Sequence, residues 1–341
     1  MSTPVLMNQP SHAAVTEGDP RPKVATDAAL SEPGLNPAPK RGPWQRMRGA
    51  FNDRGPVDPV RDGRWWTGIT MLGLSILLLS FVAHAGLFSA FQHERAQVLA
   101  YAQLREELAK AETPVGQLAD EETLVEQGSP VALIQAPSIG LHEVVLEGTT
   151  ADVTRHGVGH RRDTVMPGQA GTSILMGRQS TYGGPFSNIN RLKLGDDLTV
   201  TTGQGTHTYR VFNIRRAGDP VPEPLFNGRG RLQLQTADGF ALFPSGVMYV
   251  DAELITEVQE SSSRVMTYPA LPQAERAMGD DPSRWFNAFF LAFTFAIAAA
   301  AMRWLWTTWG RWHAWLIGLP VLVALGVATS DAIMTALPNL L

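Results

Sequence analysis

The chain contains no cysteine. Disulfides, cysteine-ligated zinc, iron–sulfur clusters and any thiol nucleophile are therefore excluded. Charge is scarce as well: Asp, Glu, Lys and Arg make up 18% of the 341 residues, against roughly 25% in ordinary soluble domains. The net charge of −4 lacks the basic excess that nucleic-acid binding uses, so no nucleic-acid partner is expected. The eight histidines are scattered, the one pair four apart, His156 and His160, is broken up by Gly157 and Gly159, and Asp196-Asp197 reads as a turn before a strand. Neither has the spacing of a metal site. No glycine-rich phosphate loop follows a strand and no segment repeats, so neither metal nor cofactor is expected.

The shortage of charge is concentrated in three places. Trp65 to Phe91 holds no Asp, Glu, Lys or Arg, and His84 is its one titratable side chain. At 1.5 Å per residue this run makes about 40 Å of helix, more than the ~30 Å hydrocarbon core of a bilayer. Further uncharged runs span Trp285–Met302 and Trp312–Ser330, and Asp331 precedes a last apolar stretch to Leu341. Trp304, Trp306, Trp309, Trp312 and Trp315 cluster between them as an interfacial belt does. Three membrane spans are expected, at 65–91, 285–303 and 312–337; a single buried helical hairpin is the alternative for the last two. The first span is too long and too deep in the chain for a cleaved signal peptide.

Lys40, Arg41, Arg46, Arg48, Arg54, Arg61 and Arg64 precede the first span, against Asp53, Asp58 and Asp62. The positive-inside rule then puts the N-terminus in the cytoplasm, with Arg303 and Arg311 in a second cytoplasmic loop. The intervening region faces the extracytoplasmic side. Residues 1–64 are rich in proline without apolar periodicity, which reads as a disordered cytoplasmic tail.

Within 92–128, Val98, Leu99, Tyr101, Leu104 and Leu108 recur at helical spacing until Pro114. This stalk helix continues the first span, and its apolar stripe suits either another chain or its own domain. From 129 to 257 the pattern changes to short β-type runs between Gly, Pro, Asn and Asp, such as Val131–Gln135, Thr172–Met176, Arg231–Thr236 and Gly246–Ile255. Such runs predict a mainly β fold, a closed antiparallel barrel of seven to eight strands. Residues 258–284 are expected to link it back to the membrane.

The barrel residues also resemble a family. Ala136-Pro-Ser-Ile-Gly-Leu with Val144-Val-Leu-Glu-Gly-Thr, then Gly157-Val-Gly-His and Met166-Pro-Gly-Gln-Ala-Gly-Thr, resemble the opening segments of sortases. Leu175-Met-Gly-Arg-Gln-Ser-Thr-Tyr-Gly-Gly-Pro-Phe followed by Asn190-Arg-Leu-Lys-Leu-Gly-Asp is most similar to the class E members of actinobacteria. The resemblance covers roughly 130–256 and implies the sortase barrel. It also implies a chemistry: a cysteine thiolate attacks a sorting-signal peptide, a histidine handles the proton and an arginine steadies the oxyanion.

Those three residues are where the resemblance fails. The family's histidine stretch reads Leu175-Met-Gly-Arg178-Gln, its cysteine strand reads Gln233-Leu-Gln-Thr-Ala237, and register places its arginine at Val247. Residues 232–263 contain no Arg, Lys or His, so a slip of register does not restore the cation. Ser180, Thr181 and Thr236 are the replacement nucleophiles on offer, but a hydroxyl needs a positioned base, and an arginine stays protonated. His156 and His160 lie in the preceding loop, and the resemblance implies that His160, in its Gly-x-Gly-His pattern, is structural; Met166, Met176 and Phe186 read as core. The groove candidates are Arg178, Thr181, Tyr182, Thr236 and Asp238. Arg215, Arg216 and Arg229 (with Arg231) flank the Pro220–Pro224 loop, which reads as a solvated charged loop, with a cationic rim as the alternative.

The expected function is that of a catalytically inactive sortase-like membrane protein, a binding, scaffolding or regulatory subunit at the outer face. A transpeptidase or acyltransferase with a replacement nucleophile is the alternative. Expected partners are the membrane, a protein of the cell envelope and a sorting-signal-type peptide.

Overall fold

The computed structural model describes residues 63–341 except 120–122, 227, 241–242 and 309–310. All but the last two residues of the expected proline-rich tail lie outside the described residues. The first uncharged run forms α1 (Gly63–Ala83), a π-turn (His84–Phe88) and α2 (Ser89–Lys110) without a break. No proline interrupts these 48 residues, so they make a rod about 72 Å long. It ends where Ala111 turns left-handed (φ 58°) and its N–H bonds back to Glu107 and Leu108 carbonyls.

Two further helices, α3 (Ser283–Thr308) and α4 (Arg311–Ala336), pack as a hairpin. Asp281 caps the first, accepting from the Ser283 N–H at 3.0 Å. Glycines permit the close approach of the bundle: a Cβ at Gly318 would meet Met302, and one at Gly326 would meet Ser80 of α1. Three helical segments, Thr70–Lys110, Pro282–Trp306 and Trp312–Ala336, are long and apolar enough to cross a membrane. Leu72, Leu74, Leu78 and Leu79 of α1 are exposed, as a lipid-facing surface requires.

The middle region is a closed barrel of eight strands: β1 (Pro130–Ala136), β2 (Leu141–Glu147), β3 (Val158–His160), β4 (Gly171–Met176), β5 (Asp197–Thr202), β6 (Gly205–Arg216), β7 (Gly230–Phe240) and β8 (Phe243–Leu254). Their order around the barrel is β1-β2-β3-β4-β7-β8-β6-β5, closed by β5 on β1. The expected closure and strand number hold, but the ladders are mixed: β2–β3 and β4–β7 are parallel. Alternating burial reports which face a strand buries and is blind to its direction. Direction here follows from crossovers. The chain passes from β2 to β3 through one helical turn (Ala151–Thr154), and the β5–β6 hairpin intervenes between β4 and β7. The core is mostly aliphatic, with Ile134, Val145, Leu175, Leu198, Leu232, Leu234 and Val250 buried beside Phe186 and Tyr209.

The stalk lies on its own domain. Leu104 is buried against Val144, Leu146 and Val153. Gln97 clamps the edge, accepting from the Val144 N–H at 2.7 Å and donating to the His156 carbonyl at 2.8 Å. Val98 and Leu99 remain exposed on the other face. Residues 258–282 are likewise strapped to the barrel: Gln259 bridges to Gln169, and buried Glu275 receives Arg162 at 2.8 Å.

Candidate functional site

The end of β4 builds one wall of the site. A Cβ at Gly177 would stand 2.7 Å from the Phe186 ring, so only glycine lets the chain pass here. The following loop is tightly turned, with left-handed backbone at Tyr182 (φ 51°), Gly183 (φ 76°) and Gly184 (φ 52°). Positive φ is uncommon for a tyrosine and marks a conformation held by its surroundings. Those surroundings are the long apolar helices. The Tyr182 N–H donates to Ser89 Oγ of α2 at 3.2 Å, and its hydroxyl donates to Asp331 of α4 at 2.8 Å. His84 of the π-turn stands 3.2 Å from the same Asp331 oxygen, and Arg155 reaches the other at 3.7 Å. Burial, then the Asp331 carboxylate, raise the Tyr182 phenol above its ordinary range.

Arg178 is wholly buried. Its Nη1 donates to Thr181 Oγ1 and to the Leu341 main-chain oxygen, and its Nη2 to the Ala151 carbonyl, each at 3.1 Å. The Tyr182 ring lies 5.0 Å from the guanidinium carbon. No carboxylate side chain among the described residues is within ion-pair reach of it. Burial pushes the guanidinium down to about 10, which leaves it charged at neutral pH.

β7 and β8 form the opposite wall. Thr236 donates to the Gly177 carbonyl at 2.8 Å, tying β7 to the loop. Ala237 pairs across the ladder with Val247. Above that pair lies Leu340, which closes an apolar cluster with Ile174, Met176, Ala237 and Val247. Thus the sequence after α4 does not stay with the membrane helices. It folds back into the barrel, where the Gln179 N–H donates to the Leu340 carbonyl at 3.0 Å. Thr181 donates to the Leu341 oxygen at 2.5 Å and Thr154 to the Asn339 carbonyl at 2.8 Å. The Asn339 amide donates to the carbonyls of Thr149, Ala274 and Arg276 at 2.7, 3.2 and 2.9 Å. Leu340 and Leu341 are fully buried.

The structure brings together Arg178, Thr181, Tyr182, Thr236, Ala237 and Val247. The other expected site residues are elsewhere. Arg215 stacks on Tyr249 and pairs with buried Asp251 at 3.0 Å. Exposed Arg216 pairs with Asp238 at 2.9 Å, and Arg229 with Glu253. Arg231, which faces Glu253 in the ladder, is seven positions from Asp238 along β7, about 23 Å. These arginines form no single rim: Arg178 is inside, Arg215 and Arg216 lie at the end of β6 with Asp251 and Asp238, and Arg229 and Arg231 lie at the start of β7 with Glu253 and the Glu223 carbonyl. His160 is buried beside Glu147, its Nδ1 2.8 Å from the carboxylate. Burial alone would lower this histidine; Glu147 overrides it and holds it above the usual value. Met166, Met176 and Phe186 are core. Sequence reasoning missed Thr154, Asn339, Leu340 and Leu341, since 331–341 reads as a continuing apolar run. Asp331, the acid inside that run, was the signal available.

Among the described residues, no carboxylate or imidazole is hydrogen-bonded to the hydroxyl of Thr181 or Thr236. Thr181 and Thr236 both spend their protons on carbonyls, and nucleophilic catalysis needs a partner base within hydrogen-bond reach.

The sortase domain profile matches residues 134–240, which include Arg178 and Ala237 and stop short of Val247. Sortase D of Bacillus subtilis is 31% identical over 90 residues, covering 26% of this chain and 44% of its own length. Sortase SrtE1 of Streptomyces coelicolor is 32% identical over 122 residues, covering 31% and 35%. The chain thus spans less than half the length of these curated relatives. The solved sortase E of Streptomyces avermitilis is 29% identical, aligned over 44% of this chain and 99% of that one with a TM-score of 0.33. The similarity to sortases is thus carried by the barrel segment 134–240, which matches the sortase domain.

Proposed function

We propose that this chain is a membrane-anchored sortase-family protein that does not catalyse transpeptidation and acts as a binding, scaffolding or regulatory subunit. The observation that carries the reading is the content of the pocket. Where the family resemblance implies a cysteine there is the methyl group of Ala237, facing Val247 and roofed by Leu340. Where it implies a histidine there is Arg178, buried and engaged with main-chain oxygens. An alanine forms no thioacyl intermediate, and a guanidinium that stays charged at neutral pH is no base. The three apolar helices supply the anchor, and the arginines expected at their cytoplasmic ends put the barrel on the outer face.

The test is turnover. The full chain, purified in lipid nanodiscs, is incubated with sorting-signal peptides and an amine acceptor. No cleavage or transfer above the protein-free control is expected, and Ser180→Ala, Thr181→Ala and Thr236→Ala leave that result unchanged. Turnover that disappears with one of these three substitutions would instead establish the replacement-nucleophile enzyme. The scaffolding role is read by mild-detergent purification from the native membrane, where a stoichiometric envelope protein is expected to accompany the chain.

A further inference from the structure

Residues 338–341 are held in the way a peptide ligand is held. Their backbone is read directly, by the Gln179 N–H on Leu340 and by Arg178 and Thr181 on Leu341. One side chain, Leu340, fills the apolar floor over Ala237 and Val247. Another, Asn339, is read through three carbonyls that converge on its amide nitrogen and call for a donor there. Main-chain bonds for affinity with side-chain pockets for selectivity are the pattern of peptide recognition. The segment keeps little structure of its own: one turn bond, Leu341 N–H to the Pro338 carbonyl, and its attachment to the end of α4. The fit is also incomplete. Asn339 Oδ1 and Arg178 Nε are buried without a partner, a cost that weakens the docking.

From this we infer that the pocket is a receptor for a peptide segment with uncharged side chains, an asparagine followed by two aliphatic residues, whose resident occupant is the chain's own Pro338–Leu341. A segment of that chemistry presented by another molecule enters only when the resident one leaves. The inference rests on the reading of the pocket as binding rather than catalytic. It adds what the pocket binds and what keeps it closed. Because the occupant is continuous with α4, whose Asp331 holds Tyr182 on the opposite wall, a shift of that helix both withdraws the ligand and loosens the loop.

The absence of native cysteine makes the test clean. Ala237→Cys is introduced into the full chain in nanodiscs, and the rate of labelling by a maleimide is measured under native conditions. Labelling at least tenfold slower than that of an exposed control, Val98→Cys, is expected. Replacing residues 338–341 by Gly-Gly-Ser-Gly should restore fast labelling. A capped Leu-Pro-Asn-Leu-Leu peptide should then protect the thiol in a dose-dependent way, while the same peptide with Asp for Asn should not. Should the replacement fold poorly, Asn339→Asp in the intact chain loosens the segment and is run through the same peptide titration. The pair Ala237→Cys with Leu340→Cys should form a disulfide on mild oxidation. Fast labelling in the intact chain, no disulfide, or no protection by the peptide would overturn the inference. Failure of the non-catalytic reading is registered separately, as peptide turnover by the unsubstituted chain.

Discussion

Two buried side chains carry much of the specificity at the scale of single residues. Asn339 donates to three carbonyls, and replacing its amide by a carboxylate aims an acceptor at three acceptors. Asn339→Asp is expected to lose about 2–3 kcal/mol of segment docking, since unmade buried hydrogen bonds cost their full desolvation. Hydrogen exchange at the Gln179 amide, which the segment covers, should quicken by one to two orders of magnitude. His160 makes a different prediction. Its folded value is raised by Glu147 against the opposing effect of burial, so the stabilisation is complete below the ordinary histidine value of about 6.5 and is lost as the pH rises through the folded value. The urea midpoint of the barrel should fall between pH 6 and pH 9, and His160→Gln should flatten that slope. An unchanged midpoint in the parent chain would contradict the assignment. The histidine reads as structural in the sequence from its place in a Gly-x-Gly-His loop. Its buried acid partner, thirteen residues away on β2, leaves no local trace.

Among elements, the long strands and apolar helices were legible because each repeats one physical pattern. Period-two burial marks β1, β5 and β7, and unbroken apolar runs mark α1, α3 and α4. What was not legible is what such patterns do not encode. The three-residue β3 is too short to show a period, and parallel pairing of β4 with β7 depends on the route of the connections. The docking of 338–341 depends on cavities made by β4, β7 and β8, so its apolar residues look like more membrane helix. The stalk stripe was open between two partners, and the packing of Leu104 on β2 decides it. Leu104→Ala should destabilise the chain by about 2–4 kcal/mol, the usual cost of emptying a buried leucine site. Leu99→Ala on the exposed face should change it by less than about 0.5 kcal/mol. Equal shifts in melting temperature for the two would place the stalk off the barrel.

For the molecule as a whole, the junction between the barrel and the long apolar helices is polar and specific. Tyr182, Asp331, His84 and Arg155 meet at one point, and Arg284 at the start of α3 pairs with Asp152 at 2.8 Å. An acid within an otherwise apolar span is costly unless it is engaged. Asp331→Asn should therefore loosen the coupling of barrel and bundle: protease sensitivity of the 178–184 loop should rise, while the barrel core keeps its exchange protection. Unchanged cleavage would mean that the junction is held by packing alone. Single cysteines placed at residue 206 on the barrel and at residue 48 in the tail test the orientation. An impermeant maleimide added to intact cells should label the first and spare the second.

The rod from Gly63 to Lys110 has one further consequence. Many surface-tethered domains ride on a leash and sweep a wide volume above the bilayer. Here helix runs from the membrane segment straight onto the barrel wall, and Gln97 and Leu104 grip it along the way. Residues 338–341 and the strap over 258–282 add two more moorings. A domain berthed at three points has almost no search radius. Whatever it meets must come to it at one fixed height beside the long apolar helices.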